Sequence, residues 1–511
     1  MNNIKNNFKK NLSKDFPASI VVFLVALPLC LGIALASGAP LYSGIISGII
    51  GGVVVGSLSN SALGVSGPAA GLAVIVLNAI TDLGSFEIFL VSVILAGLLQ
   101  LIMGILKAGI VAYYFPSSVI KGMLAGIGIL IFYKQIPNAL GAQNFEAIKT
   151  GITFNVAIIT AISLGILLLW QTKFIQKISF LAIIPGALLA VTVGILLQLF
   201  VFPINTTFLV KIPVATSPTE FLNNFTFPNF SKGLLNPAVY STAIVIAVVA
   251  SLETLLCVEA SDKQDPQKRT TSTNKELIAQ GVGNMCAGLI GGLPVTQVIV
   301  RSSANQQAGG QSKLSTIFHG ILLFISILLI PTLLNQIPLA TLAAILLIVG
   351  YKLANPATFK KMYKEGWDQF IPFVVTVVGI VATDLLMGIG LGIAVAIFII
   401  LRNNYKIPYF LEHSKDGDIG TYTLELSEDV TFLNKASVLK ILDKIPEKSI
   451  VTIIATKTQF IHLDIVEIIQ DFAVKAANKE IKLTLVDLDI NLHKHNKPMP
   501  HIKVLKNEST H

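Results

Sequence analysis

Two short stretches decide how this chain is read: GVSGPAAGLAV at residues 64–74 and GGLPVTQVIVR at residues 291–301. Each places Gly and Pro inside an otherwise apolar run, a composition that interrupts one helix and lets another start within the run. The two are weakly alike, and Pro68 and Pro294 stand 226 residues apart. A second pair, PSSVIKGMLAGIGILI from Pro116 and PLATLAAILLIVGYKL from Pro338, repeats at 222 residues. The chain reads as duplicated.

The surroundings of these stretches are those of a membrane protein. No Asp, Glu, Lys or Arg occurs between Asp15 and Asp82. Over all 511 residues 53% are hydrophobic and 13% charged, where soluble chains carry roughly 25% charged residues. One span takes about 20 apolar residues. Apolar runs near 17–37, 41–58, 66–80, 86–106, 117–136, 153–170 and 182–202, then near 236–258, 276–291, 296–306, 313–334, 338–353, 369–386 and 388–402, predict about fourteen spans. The repeat offset encloses seven of them, an odd number, so the second copy enters the membrane with opposite orientation. That is an inverted repeat, an architecture of many secondary transporters. The first fifteen residues are too polar for a removable signal peptide, and no small-residue cleavage pattern follows them.

Charge supports the topology. The net charge of +9 is spread over loops and the C-terminal region, not gathered into a groove with interleaved aromatics, so it speaks for orientation and not for nucleic acid. With Lys5, Lys9, Lys10 and Lys14 inside, the loops carrying Lys173/Lys177, Lys263/Lys268/Arg269/Lys275 and Lys360/Lys361/Lys364 also fall inside. The long loop from Phe202 to Asn236 falls outside, with Lys211 and Lys232 as its only cations. Both termini are expected in the cytoplasm. Cys30, Cys257 and Cys286 lie in apolar surroundings without metal-ligand spacing and read as packing residues.

Beyond Leu401 the pattern changes. The reading is an N-terminal segment at 1–15, a transport domain at 16–403, a small α/β domain at 404–490 and a flexible tail at 491–511. Strands are expected near 420–426, 449–455 and 481–487, with helices near 433–444 and 464–477. The tail holds four of the seven His residues, at irregular spacing that reads as solvated.

The chemistry is expected at the two opening stretches. Helices that start after GVSGP and after GGLP present unpaired N–H groups, and two such starts meeting near the midplane make an anion site without a full charge. The bland alternative is close helix packing by small residues. Glu253, in AVVASLETLLCVEA, and Arg301, about one turn past Pro294, are ionisable groups within spans, where they are costly and functional by default. Glu253 is read as a proton or cation site, and Arg301 as an anion attractor or as the partner of Glu253 in a buried pair. Glu259, Asp262 and Asp265 read as solvated, Asp82 and Asp384 as turn residues, and Lys107 and Lys121 as snorkelling.

These residues resemble those of the SulP anion transporters. The resemblance rests on DFPASIVVFLVALPLCLGIALASGAP, GVSGPAAGLAV, SLETLLCVEASD and NKELIAQGVGNMCAGLIGGLP, in that order, and on an ending similar to a STAS domain. It implies fourteen spans in two intertwined inverted repeats, with spans one to four and eight to eleven forming a core domain that moves against a gate domain. It also implies a homodimer with elevator-like motion, embedded in the cytoplasmic membrane. Carried over by motif, Ser66, Gly67, Ala69 and Ala70 line one side of the anion site, with Thr296, Gln297, Val298 and Ile299 on the other. Glu253 stands where sodium-coupled bicarbonate members have an Asp, and Cys257 replaces a companion Thr. Gln297 and Ile299 replace smaller or hydroxylated residues, so proton coupling competes with sodium coupling. His462, Leu463 and Asp464 occupy the positions where signalling STAS proteins carry the phosphorylated Ser.

The expectation is therefore an all-α polytopic membrane protein with a STAS-like α/β appendage. It is no enzyme and needs no cofactor beyond a coupling H+ or Na+. It moves sulfate or bicarbonate by alternating access, with an uncoupled chloride or anion exchanger or channel, dicarboxylate transport, or a STAS-mediated regulator as alternatives.

Overall fold

A computed structural model describes residues 2–110, 115–142, 144–172, 175, 184–215, 217–383, 385–406, 409–416, 419–488 and 502–505. Close contacts divide the chain into one unit up to Ile393 and another from Ala394.

In the first unit the apolar runs are helices. α1 (Asn2–Ala36) is followed by α2 (Leu41–Ile50), which continues through a π-turn at Gly51–Val55. Strand β1 (Ser66–Pro68) precedes α3 (Ala73–Leu83), and α4 (Phe86–Ile105), α5 (Ser117–Ala139), α6 (Phe154–Trp170) and α7 (Gly186–Phe200) follow. Next come α8 (Pro237–Gln264), α9 (Thr273–Leu289), strand β2 (Val295–Gln297) and α10 (Ile299–Gln307). The unit ends with α11 (Leu314–Leu329), α12 (Leu339–Leu353), α13 (Trp367–Ala382) and α14 (Leu385–Lys406), the last running across the unit boundary.

Among the described residues six helices are long and apolar enough to cross a membrane: Leu12–Ala36, Leu41–Leu58, Phe86–Ile105, Ser117–Ala139, Pro237–Gln264 and Leu339–Lys364. The remaining apolar helices are shorter, from 10 to 17 residues. The runs near 66–80 and 296–306 are each a three-residue strand leading into a short helix. Helix packing uses small residues, as expected where apolar surface alone does not drive association. A side chain on Gly97 of α4 would strike the Gly281 carbonyl of α9, and one on Gly281 would strike that of Gly97.

The second unit holds a five-stranded sheet in the order β3 (Tyr409–Asp416), β4 (Ile419–Leu426), β6 (Ile450–Ile454), β8 (Lys482–Val486), β9 (Ile502–Leu505), antiparallel between β3 and β4 and parallel thereafter. A two-stranded ladder joins β5 (Asp429–Val430) to β7 (Phe460–Ile461). Helices α15 (Lys435–Asp443) and α16 (Leu463–Asn478) share its core through Val438, Leu442, Ile465, Ile469 and Phe472. Three strands and both helices lie where alternation and periodicity predict them. Strand β3 falls in a stretch read as polar, and Ile502–Leu505, read as tail, forms an edge strand because Leu483–Val486 offers it a free parallel edge. His493, His495, His501 and His511 of the tail, together with Lys173, Lys177 and Asp384, lie outside the described residues.

Candidate anion site

The two opening stretches meet. β1 and β2 pair antiparallel, with Ser66 opposite Gln297, Gly67 opposite Thr296 and Pro68 opposite Val295. Residues more than 220 positions apart in the chain thus share one short ladder, and from it α3 and α10 leave as separate helices. Neither helix start has a side-chain cap, at Leu72 or at Val298. An uncapped start leaves its first N–H groups and the positive end of the helix dipole to other partners.

A polar stripe on α9 holds the ladder. Glu276, Gln280 and Asn284 follow at i, i+4 and i+8 and are fully buried. Asn284 grips the Val295 backbone from both sides: its Oδ1 accepts from Val295 N at 2.5 Å, and its Nδ2 donates to Val295 O at 3.0 Å. The same Nδ2 donates to Gln100 Oε1 of α4 at 2.6 Å. Gln280 Nε2 donates to Ser66 Oγ at 2.7 Å and to Glu276 Oε1 at 2.8 Å, and Ser59 Oγ donates to the other Glu276 oxygen. Thr254 Oγ1 of α8 accepts from Gln297 N at 3.3 Å. Sequence reasoning passed over this stripe, although its signal was legible as polar residues at helical spacing within an apolar span.

Arg301, in the first turn of α10, has no exposed surface. Its guanidinium lies against Gly67 and beside the Cys30 thiol of α1, yet none of its three nitrogens makes a hydrogen bond of good geometry among the described residues. His319 of α11 is equally buried with both ring nitrogens unpartnered. Glu253 of α8 lies at the turn that leads into α3. Its carboxylate packs on Gly71, whose N–H donates to it, and Cys257 one turn on receives the N–H of Ile299. Oε2 of Glu253 is buried without a partner. No ion pair joins Glu253 to Arg301, since neither the guanidinium nor Oε2 has a partner.

A cavity of about 290 Å³ opens beside the helix starts. Ala70, Val298 and Arg301 border it, facing Leu29 of α1, Trp170 at the end of α6 and Lys352 at the end of α12. Among the described residues, the two charged ones that line it are both cations. The other candidates stand behind this wall. Ser66 is held by Gln280, Ala69 and Thr296 are buried, Ile299 starts α10, and both side-chain polar atoms of Gln297 are buried without partners. Lys352 was not foreseen, because a lysine at a helix end reads from sequence as a flanking charge.

The sulfate permease family profile matches residues 12–399, the whole of the helical region that builds this site. The chain belongs to the sulfate permease family. Membership makes it a multi-pass membrane transport protein and not an enzyme. YvdB of Bacillus subtilis (strain 168) is 30% identical over 387 residues, covering 71% of this chain and 70% of that protein. Among solved structures in the family's fold, the transmembrane domain of the cyanobacterial bicarbonate transporter BicA superposes with a TM-score of 0.63 at 23% identity, over 74% of this chain and 97% of that one. The murine Slc26a9 anion transporter in its inward-facing state gives a TM-score of 0.73 at 14% identity, over 95% of this chain and 87% of that one.

Proposed function

We propose that the protein is a secondary active transporter of a small inorganic anion, sulfate or bicarbonate, working by elevator-type alternating access in the cytoplasmic membrane. The observation that carries this reading is Arg301: a residue in the wall of a cavity beside two helix starts, whose fully buried guanidinium has no counter-charge among the described residues. A charge so placed is costly unless an anion completes it. Arg301 and Lys352 set the sign of the cavity, and the dipoles of the uncapped starts of α3 and α10 add partial positive charge without a bulky side chain. The family name and the bicarbonate carried by BicA supply the choice of substrates.

Glu253 is the coupling residue, and H+ fits its surroundings better than Na+. The groups at its carboxylate are the Gly71 N–H and the Cys257 thiol, a donor and a soft sulfur, whereas a hard cation requires a shell of oxygens. Proton binding neutralises a buried carboxylate without further ligands. The wider arrangement follows from the same reading: about fourteen spans in two inverted repeats, core against gate, a transport domain at 16–403 with a STAS-like domain at 404–490, a homodimer, and both termini in the cytoplasm.

The test is uptake of labelled sulfate, bicarbonate, chloride and fumarate into proteoliposomes, with and without sodium and under an imposed pH gradient. Concentrative uptake of sulfate or bicarbonate that follows the pH gradient and ignores sodium is expected, with Arg301→Ala losing it. Uniform, non-concentrative chloride flux would instead identify an uncoupled exchanger or channel.

A further inference from the structure

A second cavity, of about 220 Å³, lies against α3 and shares no lining residue with the first. The larger cavity is bordered by the last turn of α6, the first turn of α7 and the last turn of α12. The smaller is bordered by the later turns of α5, the end of α13 and the start of α14. On the topology proposed above, in which α5 and α6, and likewise α12 and α13, are successive spans, these two sets of ends face opposite surfaces. Val74 and Ile75 bring the smaller cavity to the first turn of α3, a few residues along the chain from Ala70 in the wall of the larger one.

Lys134 of α5 and Asn78 of α3 both line it, and Lys134 Nζ donates to Asn78 Oδ1 at 3.3 Å. Lys134 makes no ion pair among the described residues. Lys134 is half-buried and Asn78 exposed, and among the described residues the polar partner of this cation is one neutral amide oxygen, a partner weaker than any anion.

We propose that Lys134 and Asn78 are the gate on this second side: Lys134 receives the small anion arriving from that surface, and its bond to Asn78 keeps the α3–α5 seam closed while the first cavity is open. An arriving anion replaces the amide with a charge-assisted partner and frees α3 from α5. The proposal rests on the alternating-access reading above.

Full-length protein in proteoliposomes tests it. In a variant carrying Asn78→Cys and Lys134→Cys, a short, reductively cleavable thiol crosslinker should lower uptake at least about tenfold, the scale of electrostatic and gating effects on entry, and reductant should restore it. Each single variant should show the same flux with and without the reagent, whatever its own basal rate. Lys134→Gln should raise the KM for anion presented on the Lys134 surface about tenfold, leave the opposite-side KM unchanged, and be rescued by Lys134→Arg. Undiminished uptake in the crosslinked protein, with crosslinking verified by mass spectrometry, overturns the gate and leaves the transport reading standing. Failure of the pair to crosslink overturns the contact on which the gate depends. Absence of anion flux in the wild type overturns both.

Discussion

The guanidinium of Arg301 fills the volume that a side chain at Gly67 would need. The first turn of α10 is thereby packed on strand β1, so the guanidinium and the strand backbone beside it move as one piece. Gly67→Ala is expected to displace Arg301 instead of breaking the backbone, since the atom it meets is the end of a flexible side chain. The KM for anion should rise at least about tenfold, equivalent to ~1.4 kcal/mol, while stability falls by about 1–3 kcal/mol, the range for overpacked cores. Uptake kinetics alongside thermal unfolding in detergent separate the two effects.

Glu253 packs on Gly71 as Arg301 packs on Gly67. Glu253→Gln keeps the shape and removes the titration, so concentrative uptake should disappear while anion counterflow continues. Uptake that still runs against a gradient in this variant would place the coupling elsewhere.

Asn284 is the clamp on β2, and its removal leaves the Val295 N–H and C=O buried without partners. Asn284→Leu should cost about 2 kcal/mol, as for a buried polar group losing its bond. The unfolding temperature of the purified protein should drop accordingly, and uptake should fall with it because β2 carries the start of α10.

At the end of α8, Asp265 shows how pH acts outside the spans. Burial alone would raise its carboxyl, but the Arg269 guanidinium at 2.7 Å and the N–H of Gln267 outweigh it and hold the carboxyl below its ordinary value of 3.8. A depressed value in the folded state means that the stabilising contribution is complete above the unfolded value and is lost as pH falls through the folded one. The stability difference between wild type and Asp265→Asn should therefore be constant from neutrality to about pH 5 and shrink below pH 3.8, as read by unfolding at a pH series.

Much of this was legible in the chain. Proline and glycine in GVSGP and GGLP announced interrupted helices, and the structure shows a strand and a helix start at each. Glu253 and Arg301 stood out because a charge in an apolar run has no cheap explanation. Alternation in Ile450–Ile454 and Lys482–Val486 announced the α/β unit. Strand β9 was not legible, since an edge strand needs only a partner and Ile502–Leu505 has little pattern of its own.

Sequence by itself determined the membrane class, the interrupted helices and which charges stand inside apolar runs, because those follow from composition and from local backbone chemistry. Tertiary structure decided how they are used. Whether Arg301 pairs with Glu253 or stands alone, that Lys352 shares its cavity, that Asn284 grips Val295 and that Lys134 reaches Asn78 all depend on distances between residues far apart in the chain. No local pattern encodes such distances, because they are set by how whole helices pack.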